Sequence, residues 1–230
     1  MQSLPQLLQQ ISVFALPAIF AITLHEAAHG FVAWRLGDDT ALRAGRVTFN
    51  PIKHIDPIGT ILMPLLLFFV SRGAFIFGYA KPVPVNFGRL RHPRIDMIWV
   101  AAAGPAINIL LAVVAAFMFY LLPIVPDVGA EWLQRNLENA VVFNVVLAVF
   151  NMIPLPPLDG GRVAVGILPD KFAFPLARLE RYGMMIIIGL LFIVPWIGRE
   201  IGVDLDILRL VIYWPTEMIV SGISWLTGVS

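Results

Sequence analysis

The chain has 230 residues and a net charge of +1, with 59% hydrophobic and only 13% charged residues, and a mean hydropathy of +0.83. Soluble domains carry about 25% charged residues, so the bilayer is the solvent this composition suits. The near-zero charge gives no footing for a nucleic-acid partner. With no cysteine present, disulfides and thiolate ligands are excluded, and any metal must be held by His, Asp or Glu. Only four histidines exist: His25, His29, His54 and His92.

Six apolar stretches can be set against the about 20 residues that a membrane span needs. They cover residues 11–36, a short run at 58–70, then 95–122, about 139–168, 182–197 and 205–226. The first Lys or Arg is Arg35, so the first stretch lacks the basic start of a cleaved signal and is expected to stay in the mature protein. Residues 43–50, alternating and flanked by Gly and Pro, predict a short strand or hairpin. Residues 79–86 are expected to be extended, because each proline restricts itself and its predecessor. The fourth stretch is broken by Pro154, Pro156 and Pro157. No internal repeat or linker divides the chain, so residues 1–230 read as one domain. The expected fold class is an all-α membrane protein, a polytopic helical bundle of about five to six membrane segments, with small membrane-associated β elements.

Loop charge sets orientation. Residues 35–57 carry Arg35, Arg43, Arg46 and Lys53, and residues 72–94 carry Arg72, Lys81, Arg89, Arg91 and Arg94. Both loops are expected on the cytoplasmic side, which requires 58–80 to re-enter the membrane without crossing it. The N-terminus and the acidic 123–138 loop then lie outside.

The densest chemical signal is Thr23-Leu24-His25-Glu26-Ala27-Ala28-His29-Gly30, an HExxH pattern inside an apolar, helix-competent run. Histidines four apart share one helix face and can reach one zinc ion, with Glu26 beside them as general base. An acid at the centre of a spanning helix costs about 2.5–3.5 kcal/mol on insertion scales, an expense that packing does not return. A catalytic zinc takes three protein ligands, and Asp159 is the third candidate. It is the only acid between Glu138 and Asp170. Its alternative is a helix cap, or a partner for Arg162. The proline cluster at 154–157 forbids regular helix, and irregular backbone at membrane depth must be buried or line a cavity. Such a stretch leaves free backbone groups that, like the segment at 43–50, could hold an extended substrate by strand addition.

Three features together resemble the site-2 protease family of intramembrane zinc metalloproteases. They are HEAAH at 25–29, Ala103-Gly104-Pro105-Ala106-Ile107-Asn108, and the Asn-x-x-Pro-x-Pro-x-Leu-Asp-Gly run from Asn151 to Gly160. The resemblance covers about residues 10–170 as a catalytic core, leaving C-terminal spans at about 182–228. It implies Zn2+ bound by His25, His29 and Asp159, with Glu26 as base and proton shuttle. It implies substrate handling by Asn151 and Pro154, and a site-facing Asn108 that binds substrate or backs the site. Close packing at Gly104 offers Asn108 a plain interhelical hydrogen bond instead. The small bacterial type without a PDZ domain fits best, since no insertion of PDZ size is present. The implied substrate is a transmembrane protein or peptide, cut within or near its membrane segment in regulated intramembrane proteolysis. The implied location is the bacterial inner (cell) membrane, with the site nearer the cytoplasmic face, about nine residues or ~14 Å from that end of the first segment. His54 could back the zinc, although a loop histidine at the membrane surface is the simpler expectation; His92 reads as surface.

Two alternatives stand beside the protease. A metal transporter would spread polar ligands along a path, whereas these cluster at one depth. A non-catalytic membrane scaffold would have no need of Glu26.

Overall fold

The computed structural model describes residues 4–70, 78 and 80–229. In chain order the α-helices are α1 (Leu4–Arg35), α2 (Thr40–Arg43), α3 (Met63–Val70), α4 (Pro93–Met118) and α5 (Asp127–Asn151), then α6 (Asp159–Ile167), α7 (Asp170–Arg178), α8 (Glu180–Ile188), α9 (Val194–Glu200) and α10 (Ile207–Thr227). A π-helical turn at Gly189–Ile193 joins α8 to α9, and a 3₁₀ turn at Phe119–Ile124 extends α4.

Helices α1, α4 and α5 pack against one another as the centre of the bundle; α6 packs on α4, and α10 packs on α5 and α4. Small residues make this approach possible. Ala21 and Ala33 on α1, and Ala101, Ala112, Ala115 and Ala116 on α4, are all buried. Between helices in lipid, association rests on close packing and hydrogen bonds, which small side chains permit. One core cluster joins Ala112 and Ala116 to Val145 of α5 and Ile223 of α10. The large apolar side chains face the other way: Phe14, Phe20, Trp99, Leu110 and Phe117 are exposed. That inversion suits a lipid-facing surface.

Three helical stretches among the described residues are long and apolar enough to cross a membrane: Leu8–Arg35, Pro93–Ile124 and Glu180–Glu200. The protein is therefore an all-α membrane protein, with the first, third and fifth apolar stretches of the sequence in those positions.

The expected β elements are not formed among the described residues. Arg43 ends α2, Gly45 turns the chain with φ 64°, and residues 46–49 are irregular before Asn50 caps a 3₁₀ turn at Pro51–His54. No partner strand lies alongside among the described residues to reward an extended ladder. Arg46 instead turns its guanidinium inward to donate to the Lys81 carbonyl at 2.5 Å. The segment 80–86 has no regular structure, as its prolines require. It is tied down at Lys81, whose N–H donates to the His54 carbonyl at 2.9 Å. His54 is thus not a surface residue. It is 2% exposed, with Nε2 3.1 Å from the Thr48 carbonyl, because the loop folds back under residues 80–83. His92 is exposed. Pro57 starts a π-helical turn leading into α3, but residues 71–77 and 79 are outside the described residues, and with them the path by which 58–80 would turn back.

Candidate active site

The HExxH run lies in α1, where the 3.6-residue period sets His25 and His29 on one face. Their Nε2 atoms are 3.0 Å apart. The α5 helix ends at Asn151, the prolines hold the chain in turns, and α6 begins at Asp159 itself. This brings Asp159 Oδ2 to 3.2 Å from His25 Nε2 and 3.3 Å from His29 Nε2. The three ligand atoms lie within 4.8 Å of one another. Arg162 does not pair with Asp159; it reaches Glu180 at 3.3 Å and stacks over the Phe87 ring.

The outer ring nitrogens decide what the inner ones can do. His29 Nδ1 is 2.7 Å from the Val100 carbonyl, which can only accept, so Nδ1 carries the proton. His25 Nδ1 is 2.6 Å from Asn108 Oδ1. The Asn108 amide is oriented by its Nδ2, which donates to the Ala21 carbonyl at 3.2 Å and to Asn144 Oδ1 at 2.8 Å. Its oxygen must therefore face His25, which donates from Nδ1 as well. Both Nε2 lone pairs then point inward at a carboxylate oxygen. Asp159 Oδ2 is buried and has no hydrogen-bond partner. Three acceptors meeting without a shared proton is a costly arrangement in a dry interior, and a divalent cation relieves it. Two neutral imidazoles and one carboxylate are a donor set that suits zinc.

Gly104 of α4 makes room for this meeting. A Cβ there would lie 2.5 Å from both His25 Cε1 and His29 Nε2. Pro105 follows, and its missing N–H takes the helical donor from the Ala101 carbonyl, the neighbour of the Val100 carbonyl that serves His29. On the other side, Gly160 and Gly161 let α6 start flush against the turn before it. Their Cβ atoms would fall 2.2 Å from the Met152 carbonyl oxygen and 2.2 Å from the Pro156 nitrogen.

Glu26 is half-buried beside His25, and its Oε2 accepts the Val83 backbone N–H at 2.7 Å. Asn108 meets the site through its hydrogen bond with His25. Asn151 does not reach it: its Nδ2 donates to the Leu147 carbonyl of its own helix at 2.9 Å. Pro154 is exposed on the turn between α5 and α6. Asn144 backs Asn108, and in the sequence it shows only as a polar residue inside an apolar helix. Val83 and Val100 contribute backbone groups, which leave no trace in a side-chain pattern.

Two imidazoles one turn apart on α1 and an aspartate at the start of α6, with an acid alongside, form a candidate metal centre inside an apolar helical bundle. The sequence profile described as "Peptidase family M50" matches residues 124–194. The chain is 39% identical over 184 residues to "Putative zinc metalloprotease YwhC" of Bacillus subtilis, covering 77% of this chain and 78% of that protein. It is 29% identical over 182 residues to "Putative zinc metalloprotease Rip2" of Mycolicibacterium smegmatis, covering 79% and 66% respectively. It is also 26% identical over 207 residues to the Rip2 protein of Mycobacterium tuberculosis, covering 90% and 73%. No solved structure matches the chain. The chain belongs to peptidase family M50, the site-2 protease family.

Proposed function

We propose that the protein is an intramembrane zinc metalloprotease that hydrolyses peptide bonds within or near the transmembrane segments of membrane-protein substrates. The observation that carries this reading is the convergence of His25 Nε2, His29 Nε2 and Asp159 Oδ2 within 4.8 Å, in a family of peptidases whose relatives are named for zinc. His25, His29 and Asp159 hold the metal. Zinc, when bound, supplies a Lewis acid that polarises a carbonyl and brings the pKa of water down to about 7.

The rest of the chemistry belongs to the chain. Asn108 and the Val100 carbonyl fix both imidazoles with their Nε2 lone pairs turned inward. Glu26 takes the proton of the attacking water and delivers it to the leaving amine. The Val83 N–H holds one Glu26 oxygen and leaves the other for that proton. Helices α1 and α6 each pack on α4, and His25 is buried where α1 meets Gly104. Asn151 and Pro154, at the turn before Asp159, form the side of the site on which an unwound substrate is received. This role needs Asn151 to leave the Leu147 carbonyl it now bonds.

In this reading α5 and α10, with 25 and 21 residues, add two spans to the three apolar stretches. The protein then sits in the bacterial cell membrane, with its site nearer the cytoplasmic face marked by Arg35 and the basic residues after it. The test is co-expression with single-span membrane regulators, comparing wild type with Glu26→Gln and Asp159→Ala. The expected result is cleavage by wild type alone, with zinc retained by Glu26→Gln and lost from Asp159→Ala. Cleavage by Glu26→Gln carrying stoichiometric zinc would refute the role given to that acid.

A further inference from the structure

Asn144 lies in the C-terminal half of α5, 3% exposed, and touches neither imidazole nor carboxylate. Its Nδ2 donates to the Ala140 carbonyl at 2.8 Å. That carbonyl can only accept, so the amide orientation is settled and Oδ1 faces away from its own helix. There it accepts a hydrogen bond from Asn108 Nδ2 at 2.8 Å. Asn108 is 0% exposed and spends its second amide proton on the Ala21 carbonyl at 3.2 Å, the longer of the two bonds. With both protons committed, Asn108 has only its oxygen left for His25 Nδ1, at 2.6 Å.

A polar relay therefore runs across three helices, from Ala140 and Asn144 on α5, through Asn108 on α4, to His25 on α1, and every link has one direction. We infer that Asn144 is a positioning residue for the metal centre: by holding the amide of Asn108 in one orientation, it keeps His25 protonated at Nδ1 and its Nε2 lone pair free for zinc. Without the Asn144 acceptor, one Asn108 proton is left buried and unpaired. The amide is then freer to turn over and present N–H to His25, whose proton would shift to Nε2, the atom that must bind the metal. In a low-dielectric interior such a reversal of polarity carries to the far end of the chain of bonds. This inference rests on the zinc-site reading above.

The experiment measures zinc affinity by competition with a chromophoric chelator, and the visible spectrum of the cobalt-substituted protein, on the full chain in detergent. Asn144→Leu keeps the branched shape and the number of side-chain heavy atoms and removes the acceptor. Loss of a group that orients a metal-ligating histidine costs 10–100-fold in affinity in other sites, and a drop of about 10-fold or more with an altered cobalt spectrum is expected here. Asn144→Asp should restore both, since a protonated carboxyl accepts from Asn108 at one oxygen and donates to Ala140 at the other. In an Asn108→Ala background, Asn144→Leu should change nothing further, because the effect travels through Asn108. Wild-type zinc affinity and cobalt spectrum in Asn144→Leu would overturn the inference, as would losses that multiply in the double variant. Should Asn144→Leu fail to fold, Asn144→Ala carries the same comparison. His25→Ala, run in parallel, keeps the two readings apart: stoichiometric zinc in that variant would sink the metal centre itself, and this inference with it. Zinc lost from His25→Ala but undisturbed by Asn144→Leu would sink this inference alone.

Discussion

Glu26 Oε2 accepts the backbone N–H of Val83 at 2.7 Å, so the acid beside the two imidazoles is held by a segment 57 residues further along the chain. That segment is in turn fastened by the His54 carbonyl and Arg46 at Lys81. Pro84 already confines Val83 to extended conformations. Val83→Pro should therefore delete the donor with little other change to the backbone. A hydrogen bond to a charged group contributes about 1.5–3 kcal/mol, so kcat should fall roughly 10- to 150-fold, with zinc content unchanged. Val83→Ala, which keeps the N–H, should retain most activity. Full turnover by the proline variant in a cleavage assay would mean that Glu26 works without this bond.

Gly104→Ala tests the space in which the imidazoles meet. A methyl group there would lie 2.5 Å from His25 Cε1 and from His29 Nε2, so both rings must leave the positions in which they meet Asp159. Alanine is the better helix former by about 1 kcal/mol, and the fold should not suffer for lack of helix propensity. Chelator competition should show zinc affinity reduced by about 10-fold or more, while circular dichroism keeps its helical signal. Wild-type zinc binding in this variant would show that the rings have slack that the packing does not suggest.

Much of this site was readable from side chains alone. His25, Glu26 and His29 follow from a four-residue spacing that the helix turns into a common face. Asp159 follows from its isolation in apolar surroundings after a proline break. What escaped the sequence was backbone chemistry. Val100 and Val83 act through a carbonyl and an N–H that every residue possesses, and only the packing of α4 and of residues 80–86 against α1 selects these two. His54 misled for the same reason. A histidine in a basic loop looks solvent-facing until the loop is seen folded under Lys81. The strand expected at 43–50 failed because alternation is a local signal, whereas a strand needs a neighbour to pair with, and none lies beside it among the described residues.

The turn that carries Asp159 is supported from behind by α8. A Cβ on Gly183 would stand 1.8 Å from the Pro156 carbonyl oxygen and 2.4 Å from Pro157 Cδ, so that helix rests directly on the turn's backbone. Gly183→Ala should push the two apart, at the 1–3 kcal/mol cost typical of overpacking, roughly. Thermal unfolding in detergent should begin lower, and cleavage should drop as Asp159 loses its place. Gly189→Ala, where a methyl meets nothing within 4 Å, is the matched control and should behave as wild type. Equal melting temperatures for the two variants would mean that α8 does not brace the turn.

Asp38 joins the end of α1 to the segment leading into α4. It is fully buried, accepts the Asn86 N–H at 2.6 Å and the Thr40 N–H at 3.1 Å, and also takes the Thr40 hydroxyl. Burial alone would push its carboxyl upward, but these donors and the nearby Arg89 outweigh it and hold the carboxyl below the usual aspartate range. A carboxylate whose folded pKa is depressed contributes stability that is fully present above its unfolded pKa, about 3.9. That contribution drains away as pH falls through the lower folded value. Asp38→Asn should thus melt at a lower temperature than wild type at pH 7, with a deficit of about 1.5–3 kcal/mol for the weakened charged hydrogen bonds. The gap should narrow as pH drops below about 4, where wild type loses what the variant never had. Because Asn86 opens the stretch that returns the chain to α4, limited proteolysis at neutral pH should cut residues 80–90 faster in the variant. A constant gap between the two melting curves down to strongly acid pH would show that the charge on Asp38 is not what ties these segments together.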